Sequence, residues 1–563
     1  METVQDMYTV TFEVEGGSNE QVVAAFGASV MDVARKAGIL LDAPCSGAGT
    51  CGKCRVRVVD GSVDGGRNWR KPAEEFEAGW RLACQAKVNG NVTLQVPAEA
   101  GSFAHDIETA DLSTQKERER YQAQIDELIA AGLPRGVDTE TNLGVAIDIG
   151  TTTVSAVLLD MSTGRIRGRA SAGNNQIRYG ADVINRIVNQ GKPGGVQQLQ
   201  DAILKNTLVP LLEQLGAQAG VELSEISRVV IAGNTTMEHL LLGADGSTIR
   251  LEPYVPAFLE REGDTAASVG LPVKPEAPVV FAPNVGSYVG GDITAGVLAT
   301  RMWLSDLTTL FIDLGTNGEM VYGNADYLLC CACSAGPAFE GGDISCGMRA
   351  TTGAIQACSI DPETMNPTFD IIGGGAPVGL CGSGLIDTVA ELFRAGIINA
   401  KGKMVREGKR VRARDMFGKE FVLAFEGELG ATQDIALNET DIDNFIRAKG
   451  SIYSAYRTML AAVGTEEADL DRVIIAGGIG SGINIEHAIS LGMLPNLPRE
   501  KFSYIGNSSL TGAAAMLVSQ KAEEKVFELG RSMTYLELSM EPGYMEEFVA
   551  ACFIPHTDAS LFM

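Results

Sequence analysis

Three short segments of this 563-residue chain occur twice in the same order, and this repetition restricts the fold more than any other feature. The pairs are IDIGTTT (147–153) with IDLGTNG (312–318), VIAGNTT (230–236) with IIAGGIG (474–480), and, more loosely, VGGDITAGVLA (289–299) with GNSSLTGAAAML (506–517). Most copies lie where a strand-like apolar run meets a glycine turn, and helix-like patterns follow. The repetition therefore predicts a duplicated α/β unit.

The two halves of this unit differ in length. Asp148 and Gly233 are 85 residues apart in the first half, whereas the equivalent Asp313 and Gly477 are 164 apart in the second. The second half should therefore carry an insertion, which includes the glycine-rich GLCGSGLID at 379–387. Together with the patterns upstream, this predicts five segments: a β-rich module at 1–98, a polar linker at 99–140, the two halves at 141–305 and 306–540, and a tail at 541–563.

The charge of the chain excludes several classes of partner. It holds 71 acidic and 45 basic side chains, a formal net charge of −26. Such a surface repels phosphate backbones and anionic lipids, so we expect neither nucleic acid nor a membrane as a partner. The sequence has no signal-peptide pattern and no apolar run of the about 20 residues that a span needs. With 11 cysteines and no secretory signal, we expect a cytoplasmic protein that uses some thiols for metal or redox chemistry.

Four cysteines of the N-terminal module form a candidate metal site. They are Cys45, Cys51, Cys54 and Cys84, separated by five, two and 29 residues. Four thiolates suit a [2Fe–2S] cluster, two for each iron, and the glycines between the first three allow backbone N–H groups to face the sulfurs. Structural zinc is the alternative, but zinc sites usually present two close pairs, and Cys84 has no near partner. The other seven cysteines are expected to be buried, unreactive thiols.

The repeated Asp-x-Gly loops offer the groups that bind phosphate. Glycine lets backbone N–H groups approach a phosphate, and neighbouring hydroxyl and amide groups add donors. The predicted phosphate ligands are Gly150, Thr151, Thr152 and Thr153 in the first loop and Gly315, Thr316, Asn317 and Gly318 in the second. Asp148 and Asp313, one at the head of each loop, are the predicted catalytic residues, because each could hold Mg²⁺ through water or orient an attacking water. Turns that serve only chain reversal remain the alternative.

The glycines of AGGIGSG (476–482) would place bare backbone against a base and ribose, so Gly477 and Gly478 are predicted to contact adenosine. With this motif, the two loops resemble those of the superfamily of acetate and sugar kinases, heat-shock chaperone ATPases and actin. Residues 5–98 resemble the adrenodoxin-like [2Fe–2S] ferredoxins. The resemblances imply an α/β multidomain fold: an N-terminal β-grasp ferredoxin domain, a linker, and a duplicated actin-like ATPase that binds ATP and Mg²⁺.

Nearly the whole chain is similar to the reductive activators of corrinoid proteins and corrinoid-dependent methyltransferases. The similar segments include NNQIRYGADVINRI (174–187), GPAFEGG (336–342), GLCGSGLID and FIPHTDASLF (553–562). The resemblance implies an ATP-dependent reductase that takes electrons from an external donor and reduces Co(II) to Co(I) in a corrinoid partner. A homodimer is a further expectation, and Asp182 is a candidate residue near the nucleotide cleft. Two alternatives stay open: an ATP-gated donor to another low-potential enzyme, and a nucleotide or redox sensor.

Overall fold

A computed structural model of the chain divides it into two units, Met1–Asp106 with Asn175–Ala181, and Ile107–Asn174 with Asp182–Met563. The structure describes residues 7–15, 18–39, 41, 47, 49, 52, 54–68, 73–97, 108–109, 119, 123, 142–414, 418–478 and 482–562. Cys45, Cys51 and most of the predicted linker at 99–140 lie outside the described residues. The predicted segment boundaries therefore stay predictions.

The described part of the first unit contains a five-stranded mixed sheet in the order β2-β1-β5-β3-β4. Its elements are β1 (Met7–Val14), β2 (Glu20–Ala25), α1 (Val30–Lys36), β3 (Arg55–Gly65), α2 (Ala73–Glu77), β4 (Trp80–Leu82) and β5 (Ala86–Val96). Strand β1 runs parallel to β5 and antiparallel to β2. Phe12 and Leu94 from this sheet are fully buried with Val30 of α1, because alternate strand residues face the helix. This is the β-grasp arrangement that the sequence predicted.

The second unit contains the duplicated α/β fold. Its strands are β6 (Glu108–Thr109), β7 (Leu143–Ile149), β8 (Thr153–Asp160), β9 (Ile166–Gly173), β10 (Ile226–Gly233), β11 (Val279–Phe281), β12 (Thr309–Leu314), β13 (Gly318–Gly323), β14 (Leu328–Cys333), β15 (Ala354–Ile360), β16 (Pro367–Ile371), β17 (Gly379–Leu380), β18 (Val411–Ala413), β19 (Lys419–Ala424), β20 (Ile435–Asn438), β21 (Arg472–Ala476), β22 (Phe502–Tyr504) and β23 (Thr534–Tyr535). Its α-helices are α3 (Val183–Gln190), α4 (Gly195–Ile203), α5 (Val209–Ala219), α6 (Thr235–Leu242), α7 (Ser247–Arg250), α8 (Ala266–Val269), α9 (Gly291–Thr300), α10 (Gly382–Arg394), α11 (Glu439–Ala462), α12 (Ile485–Ser490), α13 (Ser508–Val518), α14 (Gln520–Ser532) and α15 (Tyr544–Ala551).

Two sheets of the second unit share one topology. As far as the structure describes the chain, one has the order β11-β10-β7-β8-β9-β6 and the other β22-β21-β12-β13-β14-β23. In each, an antiparallel meander of three strands is followed by a strand parallel to its first strand, β10 on β7 and β21 on β12. The first two pairs of repeated segments occupy equivalent positions in the two sheets, so the duplication predicted from the sequence is confirmed.

The third pair of repeated segments forms the helices α9 and α13, which pack directly against each other. A β-carbon on Gly512 of α13 would lie 2.0 Å from the carbonyl oxygen of Ala295 on α9. No side chain fits at that distance, so this glycine permits the close crossing of the two helices. Leu298 and Leu510, one from each helix, belong to the same buried core. This crossing joins the two halves of the second unit.

The insertion predicted in the second half lies between β14 and β21. In the described residues it forms two three-stranded sheets, β16-β15-β17 and β18-β19-β20, together with α10 and α11. The segment GLCGSGLID supplies β17 and the first turns of α10. Within the described chain, no helix combines the length and the apolar character that crossing a membrane demands.

Candidate nucleotide and iron–sulfur sites

The two repeated loops line one cavity of about 340 Å³ in the second unit. The first loop is the turn between β7 and β8, where the Gly150 N–H donates to the carbonyl oxygen of Thr153 at 3.0 Å. The second is the turn between β12 and β13, where the Gly315 N–H donates to Asn317 at 3.0 Å. The predicted site residues that line the cavity are Asp148, Gly150, Thr151, Thr152, Thr153, Asp313, Gly315, Thr316, Asn317, Gly477 and Gly478.

Gly318 is the one predicted phosphate ligand among these described residues that does not line the cavity. It is the first residue of β13, and a β-carbon there would lie 2.8 Å from Sγ of Cys333 on β14. Its small size therefore serves the packing of the hairpin. Burial raises the pKa of the Cys333 thiol to about 12, which keeps that thiol protonated, in keeping with the unreactive role expected of it.

The loop after β21 brings Gly477 and Gly478 to the cavity. Gly477 has a φ of +95°, and a β-carbon on it would lie 2.3 Å from the carbonyl oxygen of Leu314. Only glycine fits there. At Gly478 a β-carbon would meet no atom within 4 Å, so this residue presents bare backbone to open space. The hydroxyl of Tyr504 donates to the carbonyl oxygen of Gly477 at 2.7 Å, which holds the loop in place. Gly480 of the same motif lies outside the described residues.

The carboxylate of Asp148 is held from the N-terminus of α13. Asn507 Nδ2 donates to its Oδ2 at 2.7 Å, and Ser509 Oγ donates to its Oδ1 at 2.8 Å. Burial raises its pKa, although the two hydrogen bonds oppose this. Asp313 is half-buried, and desolvation together with the nearby charge of Asp148 raises its pKa to about 7. The two predicted catalytic aspartates therefore lie close enough to repel each other, on opposite loops of one cavity.

The sequence interpretation assigned no role at the site to three further acids of the lining. They are Asp292 in the first turn of α9, Glu319 directly after the second loop, and Glu340 in the GPAFEGG segment. Burial and the charges of Asp148 and Asp313 raise the pKa of Asp292 to about 8. The signals were present, because Asp292 lies inside a repeated segment and Glu319 ends the strand-turn pattern.

The donor set fits a hard divalent cation. Among the described lining residues, five are acidic (Asp148, Asp292, Asp313, Glu319 and Glu340) and one, Arg169, is a cation. Carboxylate oxygens are the ligands that Mg²⁺ prefers, and buried acids that repel one another gain most from such an ion. In the part of the chain that the structure covers, no three acidic, histidine or cysteine side chains converge closely enough to chelate a metal. The acidic lining therefore offers carboxylate ligands to a divalent cation.

Glu340 connects the two phosphate loops. Its Oε2 accepts hydrogen bonds from the hydroxyls of Thr152, at 2.6 Å, and Thr316, at 2.5 Å. The two hydroxyl oxygens are 3.1 Å apart. Arg186, which is fully buried on α3, donates to the carbonyl oxygen of Thr151 at 2.5 Å. Threonines from both halves, which lie 164 residues apart in sequence, therefore meet at one carboxylate.

Asp182, the candidate residue near the nucleotide cleft, lies at the start of the helix that reaches the first loop. It is the N-cap of α3, and its side chain accepts from the N–H of Asn185 at 2.8 Å. The cavity lining does not include it. Arg186, one turn further along the same helix, is the residue of this segment that reaches the first loop.

The first unit brings two of the predicted cluster ligands together. The N–H of Ala83 donates to the carbonyl oxygen of Cys54 at 2.8 Å, which ties the cysteine-rich loop to the turn that carries Cys84. The Gln85 side chain then donates to the carbonyl oxygen of Gly47 at 2.6 Å and lies 3.8 Å from Sγ of Cys84. Cys54 is 1% exposed. A buried Cys54 and a half-buried Cys84 with an N–H donor nearby fit an iron–sulfur cluster, while Cys45 and Cys51 lie outside the described residues.

Three regions of the chain match described protein families. Residues 13–89 match the 2Fe-2S iron-sulfur cluster binding domain. Residues 143–305 match the RACo middle region, and residues 307–563 match the C-terminal domain of RACo, the ASKHA domain. These matches bear out the [2Fe–2S] domain and the nucleotide-binding, actin-like fold predicted from the sequence.

Individual proteins are similar over most of the chain. The corrinoid activation enzyme RamQ of Eubacterium limosum is 30% identical over 94% of this chain and 97% of its own length. The [Co(II) methylated amine-specific corrinoid protein] reductase of Methanosarcina barkeri is 22% identical, over 70% of this chain and 74% of its own. The solved structure of a reductive activator for corrinoid, iron-sulfur protein is 40% identical, covers 99% of both chains and superimposes with a TM-score of 0.71. The chain therefore belongs to the RACo family of corrinoid activators.

Proposed function

We propose that this protein uses ATP to drive the transfer of one electron to the cobalt of a corrinoid protein, which reduces Co(II) to Co(I). The observation that carries the proposal is that one chain combines a cysteine-bearing β-grasp unit with an acid-lined cavity between two phosphate loops. Relatives that match this chain over most of their length are named as a corrinoid activation enzyme and a Co(II) corrinoid protein reductase.

The residues of the cavity have separate roles in this proposal. The hydroxyls and N–H groups of the two loops bind the phosphates, and Gly477 and Gly478 bind the adenosine. Asp148 and Asp313 would hold Mg²⁺, which would screen the charge of the phosphates when bound. Because the lining carries four more acidic than basic side chains, five against one among the described residues, a bare triphosphate would be repelled. The cation is therefore required for binding as well as for catalysis.

In the first unit, Cys45, Cys51, Cys54 and Cys84 would hold the cluster, and Gln85 would place an N–H donor beside one sulfur. When bound, the cluster supplies one-electron reduction, and ATP supplies free energy. For a single electron, a mismatch of about 59 mV between donor and acceptor costs about 1.4 kcal/mol. ATP binding or hydrolysis can therefore offset a moderate difference in potential. Loading of the cluster requires an external reductant, and we place the reaction in the cytoplasm, with a homodimer as the acting species.

In the test, this protein is reduced with dithionite and mixed anaerobically with a Co(II) corrinoid protein. The oxidation state of cobalt is monitored by the absorbance of the corrinoid, with and without MgATP. We expect Co(I) to form only with MgATP. Asp148→Ala and Asp313→Ala should abolish the effect of ATP, whereas Asp326→Ala, which changes an exposed aspartate outside the cavity, should not. A rate of cobalt reduction that is indifferent to both cavity substitutions would refute the proposal. Nucleotide binding without any change at cobalt would favour a different acceptor enzyme or a sensor.

A further inference from the structure

We propose that Glu340 competes with the terminal phosphate of ATP for the hydroxyls of Thr152 and Thr316, so that a triphosphate displaces this carboxylate and a diphosphate does not. The inference deepens the proposed function, because it rests on the two loops as the phosphate site and adds the means by which the site distinguishes ATP from ADP.

The hydrogen bonds at Glu340 and at a phosphate exclude each other. Both hydroxyls donate to one oxygen, Oε2 of Glu340, at 2.6 and 2.5 Å. A threonine hydroxyl has a single proton to donate. While Glu340 holds both protons, neither Thr152 nor Thr316 can donate to a phosphate oxygen. A phosphate placed between the two loops must therefore take these protons from Glu340.

Because of their charges, the Glu340 carboxylate and the phosphate cannot share the position beside the two threonines. The carboxylate and the phosphate are both anions, and a carboxylate beside a terminal phosphate repels it at contact distance. Asp148, the acid at the head of the first loop, is already engaged by Asn507 and Ser509 on the α13 side. Glu340 differs from it, because the bonds that the structure records for its carboxylate come from the threonines of the phosphate loops themselves.

A buried cation attracts the Glu340 carboxylate and so stabilises it in its place beside the two threonines. Arg186 lies behind the first loop and donates to the carbonyl oxygen of Thr151. Burial lowers the pKa of Arg186 to about 9, and the charges of Asp182 and Glu340 partly oppose this, so the guanidinium lies within electrostatic range of the carboxylate. Arg186 would attract a phosphate in the same way. The position beside the two threonine hydroxyls therefore holds either the Glu340 carboxylate or a phosphate, but not both.

The segment that carries Glu340 can pass its displacement to α11. Glu340 ends a short 3₁₀ turn, Pro337–Glu340, and the neighbouring Phe339 is 1% exposed. The ring of Phe339 packs edge-on against Phe445 of α11, with the centroids 5.8 Å apart. Just beyond, the N–H of Ser345 donates to Asp441, also on α11, at 2.9 Å. A shift of Glu340 therefore acts on the N-terminal half of α11.

Calorimetric titration with Mg²⁺ and either AMP-PNP or ADP tests the proposal. Glu340→Gln keeps the size of the side chain and removes its charge. We expect this variant to bind AMP-PNP roughly tenfold more tightly, as the loss of one like charge at contact predicts, and to bind ADP within about twofold of the original protein. Glu363→Gln, an exposed glutamate in the turn before β16, is the matched control and should change neither affinity. Weaker binding of AMP-PNP to Glu340→Gln would show that the carboxylate assists the triphosphate, and would overturn the proposal.

Hydrogen exchange on the unaltered protein provides a second measurement that does not depend on the variant. AMP-PNP should raise the exchange of the amides at 338–341 by at least severalfold, and ADP should leave it unchanged. An equal change with both nucleotides, or none with either, would overturn the inference. Failure of the proposed function is distinguishable, since it would leave these nucleotide effects in place while Co(I) fails to form. Absence of any nucleotide binding would overturn both.

Discussion

Gly477 and Gly478 are neighbours in the loop after β21, but an added methyl group would meet different surroundings at the two positions. At Gly477, which has a φ of +95°, it would lie 2.3 Å from the carbonyl oxygen of Leu314 and 2.9 Å from Oδ1 of Asp313. At Gly478 no atom lies within 4 Å. We therefore expect Gly477→Ala to disturb the second phosphate loop itself, and Gly478→Ala to affect only the ligand that binds beside it.

The expected loss of stability at Gly477 follows from two costs. A left-handed backbone conformation costs a residue other than glycine about 1–2 kcal/mol. Crowding against fixed backbone atoms typically adds about 1–3 kcal/mol. Gly477→Ala should therefore lower the free energy of unfolding by about 2–5 kcal/mol. For a unit of this size, an unfolding entropy of about 2.1 cal/mol/K per residue converts 1 kcal/mol into roughly 1 °C, so Tm should fall by about 2–5 °C.

Two assays separate the variants. Scanning calorimetry without nucleotide measures Tm, and titration with Mg²⁺ and ADP measures the affinity of the site. Gly477→Ala should lower both Tm and affinity. Gly478→Ala should keep Tm within about 1 °C and lower only the affinity, because its methyl group enters the space assigned to the adenosine. An unchanged Tm for Gly477→Ala, or an equal fall for both variants, would refute this reasoning.

Three further results are expected. Because acids dominate the described part of the cavity lining, removing divalent cations with EDTA should abolish ATP binding, and calorimetric affinities that are equal with and without Mg²⁺ would contradict this. The pKa values of Asp313, about 7, and Asp292, about 8, lie above the ordinary value of 3.8, so the protonated forms stabilise the fold. Their contribution to stability is complete below about pH 4 and is lost as pH rises through 7 to 8. Without Mg²⁺, the fall in Tm between pH 6 and 9 should therefore be smaller in Asp292→Asn than in the original protein. An identical pH profile of Tm in the two proteins would contradict this expectation. Cys84→Ser should lose the visible absorbance of the cluster and keep ADP binding, whereas Cys552→Ser should keep both; retained absorbance in Cys84→Ser would exclude that ligand.

The parts of the site that the sequence predicted depend on local chain geometry. Asp148 and Asp313 are each the second-last residue of a buried strand that precedes a glycine turn, so their position near the end of a strand follows from the few residues around them. The duplication could be read for the same reason, since each copy repeats a local strand and turn. Gly318 shows where this reasoning ends. Its loop pattern matched a phosphate ligand, but its surroundings depend on Cys333 of the next strand, which the loop pattern does not contain.

Short stretches of chain encode the two modules, the repeated halves, the two glycine loops and the cysteine spacing, so all of these could be predicted from the sequence. Which acids share the cavity depends instead on tertiary packing. Glu340 meets Thr152, 188 residues away, and Asn507 meets Asp148, 359 residues away. Such contacts depend on how closely the two halves approach, and Gly512 at the helix crossing governs that distance. A side chain's partners across a cleft are set by packing between distant segments, which no local pattern records.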